Sequence, residues 1–252
     1  MAFELEFLGT ADARRVPVYG CQCRACQRAR NDARYRRRAC SALVRAEGYQ
    51  LMLDAGRPDL CETFAPGSFQ GILLTHYHMD HVMGLFHLRW GAGHLVPVYG
   101  PDDPAGCDDL YKHPGILQFQ PPRTAFETWH EGPFRITPLP LIHSKPTLGY
   151  SIRYQQQHLV YLTDTVGLPD DTLAWLRQSP PTLLVLDCSL PPQPETPRNH
   201  NDLNLALHLV EQVAPGKTLL THVGHALDDY LMSEPSLPEG VEVAWDGQTV
   251  RP

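Results

Sequence analysis

Four side chains that often bind metal ions lie within six residues of one another, in the motif THYHMDH at 75–81. A short apolar run precedes the motif and predicts a strand that ends there. Alternate residues of an extended chain point the same way, so His76 and His78 can converge on one ion. Asp80 and His81 follow at once and can face a second ion. Imidazole and carboxylate ligands favour Zn²⁺, Mn²⁺ or Fe²⁺.

Three cysteines form a second cluster near the N-terminus, Cys21, Cys23 and Cys26, in a C-x-C-x-x-C pattern. Three thiolates this close in a reducing compartment predict a structural Zn²⁺, for which the best fourth ligand is His225. A redox role and a set of ordinary buried thiols are the alternatives. The remaining cysteines have no such clustering and are expected to be small core residues: Cys40, Cys61, Cys107 and Cys188.

Composition limits the class of protein. The chain has 252 residues and a formal net charge of -7, so a general basic surface for nucleic acid is absent. Seven arginines lie between Arg24 and Arg38, where we predict a solvated helix face and turn rather than a nucleic-acid arm. The first residues alternate apolar and acidic types, unlike a secretory signal, and no apolar run is long enough to span a membrane. We therefore expect a cytoplasmic protein without disulfides.

Strand-like and helix-like segments alternate along the whole chain, which predicts a layered α/β fold. A first helical turn is expected at Pro169, and a second helix is expected to be capped by Asn201 or Asp202 and to end before Pro215. Ten short apolar runs are predicted to be strands, at 3–8, 42–46, 50–53, 71–74, 96–99, 134–139, 150–154, 159–162, 183–186 and 218–220.

The His-x-His-x-Asp-His motif after a strand resembles the signature of the metallo-β-lactamase superfamily. This resemblance implies an αβ/βα four-layer sandwich, in which two mixed β-sheets are flanked by helices. We expect a single domain over 1–252, with the zinc-binding loop at about 20–30. Later strand-end residues match the other family ligands in the expected order: His143, Asp164 and His222. Asp54 matches the family's Asp-x-Gly, where the Asp usually supports the site without binding metal.

The resemblance also implies how the ligands are divided. One ion would be bound by His76, His78 and His143, the other by Asp80, His81 and His222, with Asp164 bridging the two. Two divalent ions, for which Mn²⁺ is our first expectation and Zn²⁺ or Ni²⁺ the alternatives, activate water and stabilise a charged phosphoryl or acyl oxygen. Because classical β-lactamases typically have a cysteine near the position of Asp164, this carboxylate favours phosphoester over lactam chemistry.

Longer motifs resemble one branch of the superfamily, the phosphoribosyl cyclic phosphate phosphodiesterases of bacterial carbon–phosphorus lyase pathways. They include GCxCxxC at 20–26, LRWG at 88–91, PVYGP at 97–101, HPG at 113–115 and PRNH at 197–200. This resemblance implies hydrolysis of 5-phospho-α-D-ribosyl 1,2-cyclic phosphate to α-D-ribose 1,5-bisphosphate in phosphonate catabolism. His200 or Asp80 would then protonate the leaving oxygen. The candidate ligands of the remote phosphate are Lys145, Arg198 and Arg89.

Other activities share parts of this pattern. A cyclic-nucleotide phosphodiesterase or an RNA 3′-end nuclease shares the ligands, but the nuclease normally needs a basic arm, and no insertion here resembles one. A glyoxalase-type thioester hydrolase usually carries a helical C-terminal domain. A quinone-cofactor synthesis protein shares the cysteine cluster, but its metal site departs from the full ligand set. A zinc-binding interaction module without activity is the non-enzyme alternative, and a homodimer is the default oligomer.

Overall fold

Two seven-stranded mixed sheets pack face to face in the computed structural model, which describes residues 2–233 and 236–252. The first sheet has the order β14-β1-β2-β3-β4-β5-β6. Strands β3 to β6 run parallel, whereas β14, β1, β2 and β3 pair antiparallel. The strands of this sheet are β1 (Glu4–Gly9), β2 (Ser41–Ala46), β3 (Tyr49–Leu53), β4 (Gly71–Leu73), β5 (Val96–Tyr99), β6 (Leu117–Phe119) and β14 (Thr249–Val250).

The second sheet repeats this plan, with the order β13-β12-β11-β10-β9-β8-β7. Strands β10 to β13 are parallel, and β7 to β10 are joined as antiparallel neighbours. Its strands are β7 (Trp129–Glu131), β8 (Phe134–Pro140), β9 (Leu148–Tyr154), β10 (Gln157–Leu162), β11 (Leu183–Asp187), β12 (Lys217–Thr221) and β13 (Val241–Val243).

The main core lies between the two sheets. Its largest fully buried side chains come from both of them: Phe3, Phe7, Phe134, Tyr150 and Tyr161. Burial of each such aromatic side chain contributes about 1.5–3 kcal/mol. The central strand β11, for example, is buried on both faces, which explains its apolar sequence up to Asp187. All ten predicted strands are present, whereas the short edge strands β6, β7, β13 and β14 were missed.

Helices cover the outer face of each sheet and produce the four layers that were predicted. A second apolar cluster underlies the helices on the first sheet, and a third underlies those on the second sheet. The helices are α1 (Arg24–Asn31), α2 (Leu60–Thr63), α3 (Met79–Val82), α4 (Leu85–Leu88), α5 (Asp108–Lys112), α6 (Asp170–Gln178), α7 (Leu203–Val213) and α8 (His225–Leu231).

Helix α7 forms where the sequence predicted it. The Asp202 side chain caps the helix by accepting from the Leu205 amide at 2.9 Å. The helix ends at Val213 because Ala214 has a left-handed backbone, with φ of 51°. Within the described ranges 2–233 and 236–252, no helix is long and apolar enough to cross a membrane.

Candidate metal centre

The candidate ligands lie at the carboxyl ends of strands from both sheets. Carboxyl ends of adjacent parallel strands meet at one edge of a sheet, and loops there are free to carry polar groups. Packing the two sheets brings these edges together. The strand-end residues are Asp54 after β3, His76 after β4, His143 after β8, Asp164 after β10, Asp187 at the end of β11 and His222 after β12.

His76, His78 and His143 form the trihistidine cluster. The Nε2 atom of His76 lies 2.8 Å from Nδ1 of His78, and Nε2 of His143 lies 3.0 Å from the same atom. Burial lowers the pKa of all three imidazoles, and neighbouring imidazoles lower it further. The three rings are therefore held neutral at physiological pH, which is the form that binds metal.

Asp80, His81 and His222 form the mixed cluster beside the first. The Oδ2 atom of Asp80 lies 3.4 Å from Nε2 of each imidazole. Asp164 lies between the two clusters: its Oδ2 is 2.6 Å from His81 Nε2 and 3.8 Å from His76 Nε2, and its Oδ1 is 3.2 Å from His222 Nε2. One buried carboxylate thus reaches ligands of both clusters.

The buried donor atoms of this site fit divalent cations. His81 Nε2 and Asp164 Oδ2 are buried and face each other at 2.6 Å, but neither has a hydrogen bond of good geometry, which is costly unless a cation contacts them. Burial raises the pKa of Asp80 and Asp164, but the nearby imidazoles outweigh it and hold both pKa values well below the ordinary range. Burial lowers the pKa of His222, yet the carboxylates raise it to about 9. The site thus gathers negative charge that requires cations.

A set of hydrogen bonds behind the ligands fixes their orientation. Asp54 Oδ2 lies 2.8 Å from Nδ1 of His81, and Ser189 Oγ lies 3.0 Å from Nδ1 of His222. In the trihistidine cluster, Nδ1 of His143 lies 3.1 Å from a backbone carbonyl oxygen, that of Asn199. Such outer contacts set the tautomer and leave Nε2 of each ring facing the centre.

Three residues of the site adopt strained backbone conformations. Asp54, Asp164 and His222 have φ values of 55°, 60° and 60°, in the left-handed region that non-glycine residues rarely adopt. Such conformations each cost about 1–3 kcal/mol and persist only where the surrounding structure fixes them. Here the strained residues follow β3, β10 and β12 directly or within two positions, and the turn directs each side chain into the centre.

Asp187 is a site residue that the sequence analysis missed. Its buried Oδ2 lies 2.8 Å from Nδ1 of His200, and the His200 ring stacks on His222 with centroids 4.9 Å apart. Burial lowers the pKa of His200, but the charge of Asp187 outweighs it and raises the pKa above its ordinary value. The position of Asp187 at the end of an apolar strand, like those of Asp54 and Asp164, is the sequence signal that could have identified it.

The three basic residues predicted to bind the remote phosphate of the substrate have different surroundings. Lys145 lies two residues after His143, and its Nζ donates to Asp103 Oδ2 at 3.2 Å. Arg89 pairs with Asp109 at 2.7 Å and lies over the Trp90 ring, which favours a structural role. Arg198 is exposed in the loop that carries His200.

The four residues of the predicted zinc site come together, with ligand atoms within 4.8 Å of one another. Nδ1 of His225 lies 3.4 Å from the sulfur of Cys21 and 3.6 Å from that of Cys23. Burial raises the pKa of the Cys26 thiol to about 12, so ionisation of this thiol requires a nearby cation. Arg30 closes the loop by donating to the carbonyl oxygens of Cys21 and Val18 at 2.6 and 2.7 Å.

All seven cysteines are free thiols, and their burial corrects one prediction. Cys40 and Cys188 are buried, as expected for small core residues, and Cys107 is half-buried. Cys61 is exposed, so its placement in the core was wrong. It lies on the short helix α2, beside an apolar cavity on the outer side of the first sheet.

The chain belongs to the β-lactamase superfamily: residues 57–223 match the model of the beta-lactamase superfamily domain. The predicted superfamily is thereby confirmed. The chain is also similar to a solved structure described as a new diphosphatase from the PhnP family, with a TM-score of 0.82 and 26% identity. That comparison covers 99% of this chain and 97% of the other, so the two folds agree along almost their full length.

Two curated relatives extend the comparison. The probable metallo-hydrolase YhfI of Bacillus subtilis (strain 168) is 28% identical, over 73% of this chain and 79% of its own length. The coenzyme PQQ synthesis protein B of Klebsiella pneumoniae (strain 342) is 26% identical, over 98% of this chain and 97% of its own length. These similarities support a metal-dependent hydrolase of this superfamily, and they leave its substrate open.

Proposed function

We propose that this protein is a metal-dependent phosphodiesterase that hydrolyses 5-phospho-α-D-ribosyl 1,2-cyclic phosphate to α-D-ribose 1,5-bisphosphate. The observation that carries the proposal is the position of Asp164, whose carboxylate lies near His76 of the trihistidine cluster and near both His81 and His222 of the mixed cluster. A carboxylate between two ligand clusters favours a pair of divalent ions, with Mn²⁺ as our choice. The similarity to the PhnP-family structure supports phosphoryl chemistry.

The protein's own residues have distinct parts in this reaction. When bound, two divalent ions lower the pKa of a water molecule and neutralise charge on the phosphoryl oxygens. Asp80 is held as a carboxylate by His81 and His222, so it serves as a ligand and not as a proton donor. Nδ1 of His200 is bonded to Asp187, which leaves Nε2 to donate a proton to the leaving sugar oxygen.

A substrate panel tests this proposal. The Mn²⁺-loaded protein is assayed with the ribosyl cyclic phosphate, 2′,3′-cyclic AMP, a short RNA with a 3′ extension and bis(p-nitrophenyl) phosphate. We expect the highest kcat/KM for the ribosyl cyclic phosphate, and no turnover of any diester by a His78→Ala variant that has lost its metal. Higher kcat/KM for RNA or for the cyclic nucleotide would contradict the substrate assignment.

A diphosphatase is the second candidate, because the PhnP-family structure similar to this chain is described as one. Hydrolysis of a phosphoanhydride also places negative charge on phosphoryl oxygens, so the same ligand set suits it. The two reactions differ in the leaving group: a phosphate leaves readily, whereas a sugar alkoxide needs a proton. Adding ADP-ribose to the substrate panel distinguishes the two candidate activities, because its phosphoanhydride is a substrate for a diphosphatase and not for a phosphodiesterase.

We also propose that Cys21, Cys23, Cys26 and His225 bind a structural Zn²⁺. Three thiolates and one imidazole complete a closed tetrahedral site. His225 begins helix α8 and lies three residues after His222, so the ion would connect the N-terminal loop to the segment that carries a catalytic ligand. Arg24 strengthens the same connection by donating to Asp229 of α8. The cytoplasmic location and the homodimer stay predictions.

A further inference from the structure

Lys145 lies on the same small loop as His143. This loop is closed at its base, where the Leu141 amide donates to the Thr147 carbonyl oxygen at 3.0 Å. Thr147 Oγ1 also donates to the carbonyl oxygen of Lys145 at 2.9 Å. The backbone of Lys145 is therefore fixed relative to His143, which belongs to the trihistidine cluster.

The segment that carries Asp103 packs against the His-rich motif. A Cβ atom at Gly106 would lie 2.6 Å from the Tyr77 ring, so only glycine permits this approach. Tyr77 stands between His76 and His78, and Cys107 Sγ lies 3.8 Å from its carbonyl oxygen. The ion pair of Asp103 and Lys145 thus links the loop that carries His143 to the segment that packs against the His-rich motif.

Asp103 is fixed by hydrogen bonds, whereas the Lys145 ammonium group uses only some of its hydrogen-bond donors. The Ala105 amide donates to Asp103 Oδ1 at 3.2 Å, and the Tyr111 hydroxyl donates to the Asp103 carbonyl oxygen at 3.1 Å. The side chain of Asp103 is 7% exposed and that of Lys145 is 28% exposed. An ammonium group has three N–H donors, and within the described residues Asp103 is its one recorded partner. Two donors of this partly exposed group therefore remain for a ligand.

We propose that Asp103 is a positioning residue that holds the Lys145 ammonium group to bind the non-reacting phosphate monoester of the substrate. The pair would select sugar cyclic phosphates that carry a second phosphate over those that lack it. This inference rests on the proposed phosphodiesterase function. Among the other candidates, Arg89 has more contacts than Lys145: its guanidinium pairs with Asp109, donates to the carbonyl oxygens of Asp109 and His113, and lies over the Trp90 ring.

The test compares two substrates that differ only in the 5-phosphate: 5-phosphoribosyl 1,2-cyclic phosphate and ribosyl 1,2-cyclic phosphate. Loss of one hydrogen bond to a charged group lowers kcat/KM about 10- to 100-fold. We expect Lys145→Met to lower kcat/KM for the phosphorylated substrate about 10- to 100-fold, mainly by raising KM. The kcat/KM for the substrate without the 5-phosphate should not change. Asp103→Asn should act in the same direction with a smaller effect, and Lys145→Arg should restore part of the loss.

A second ion pair on the neighbouring helix provides a matched control. Lys112 pairs with Asp108 at 2.6 Å, but both side chains are exposed. Lys112→Met removes the same charge and should change neither substrate's kcat/KM. Adding Asp103→Asn to Lys145→Met should cause no further loss, because Asp103 is proposed to act through Lys145. Manganese content and melting temperature of each variant establish that the site and fold are retained.

Equal losses on both substrates in Lys145→Met would overturn the inference, as would unchanged kinetics on both. If the unmodified protein hydrolyses neither cyclic phosphate, the proposed function fails and the inference is decided by calorimetry. Ribose 5-phosphate is then titrated into the manganese-loaded proteins. Binding at least about tenfold weaker in Lys145→Met than in Lys112→Met supports the recognition pair, and equal affinities overturn it.

Discussion

Asp54 Oδ2 lies 2.8 Å from Nδ1 of His81, while the opposite ring nitrogen of His81 lies 2.6 Å from Asp164. Thr75 donates to the Asp54 carboxylate from its amide at 2.8 Å and from its hydroxyl at 2.9 Å. The His81 ring is therefore held between a supporting acid and a bridging acid. This arrangement fixes the tautomer that presents Nε2 to a metal ion.

Substitution of Asp54 by Asn is predicted to weaken metal binding. The amide keeps the shape of the side chain but loses the negative charge behind His81, which lowers the basicity of the ligand. We expect affinity for Mn²⁺ to fall about 10- to 100-fold. Calorimetric titration of the metal-free protein measures the change, with exposed Asp108→Asn as the control. Unchanged affinity in Asp54→Asn would contradict the supporting role.

The candidate ligands of the His-rich motif could be predicted from the residues alone, whereas His143, Asp164 and His222 were predicted from the resemblance to the metallo-β-lactamase superfamily. His76, His78, Asp80 and His81 are adjacent in the chain, so their convergence needed no knowledge of the fold. Asp187 and Ser189 were missed because their roles depend on contacts with residues that become neighbours only when the strands pair: His200 and His222.

The fold was also predicted where the sequence pattern is strong and missed where it is weak. Central strands are mostly apolar and stand out, whereas the edge strands have two or three residues each, too few for a pattern. Cys61 was placed in the core by residue type alone. It is exposed because α2 has only four residues, of which Leu60 is the buried one.

A leaving-group comparison is predicted to identify the proton donor. His200→Gln should lower kcat about 10²- to 10⁴-fold for the ribosyl cyclic phosphate, whose alkoxide needs a proton to depart. For bis(p-nitrophenyl) phosphate the loss should be about tenfold or less, because nitrophenolate leaves without one. Asp187→Asn should show the same contrast with smaller losses. Equal losses on both substrates would exclude His200 as the donor.

Loss of a cysteine from the N-terminal cluster is predicted to remove one zinc ion per chain. Cys23→Ser breaks the closed ligand set, and the melting temperature should fall by about 5–10 °C, equivalent to about 2–3 kcal/mol in a chain of this size. Plasma mass spectrometry and calorimetry measure both effects. The exposed Cys61→Ser serves as the control and should keep full zinc content. Normal zinc in Cys23→Ser would refute the assignment.

The stability of the protein is predicted to decrease in mild acid because of His158. This ring is buried, with Nε2 2.8 Å from Ser151 Oγ, and burial lowers its pKa to about 4. The unfolded chain binds the proton near pH 6.5, so stability is complete above that pH and falls as the pH drops towards 4. The decrease is at most about 3 kcal/mol.

Urea denaturation of the unmodified protein and a His158→Gln variant between pH 7 and pH 4 measures this effect. Glutamine retains a partner for Ser151 but does not titrate. We expect the stability difference between the two proteins to narrow, and then reverse or vanish, as the pH falls. A difference that is constant with pH would show that His158 is protonated equally in both states.

The most direct test of the proposed function is ³¹P NMR of the purified protein with 5-phosphoribosyl 1,2-cyclic phosphate, with Mn²⁺ in one sample and excess chelator in the other. We predict that the cyclic diester signal is replaced by the 1-phosphate monoester signal of ribose 1,5-bisphosphate, beside the 5-phosphate signal that the substrate already has, only in the sample with Mn²⁺. Conversion that is equally fast with chelator, or formation of the 2-phosphate isomer, would contradict a metal-dependent attack that expels the O2 oxygen.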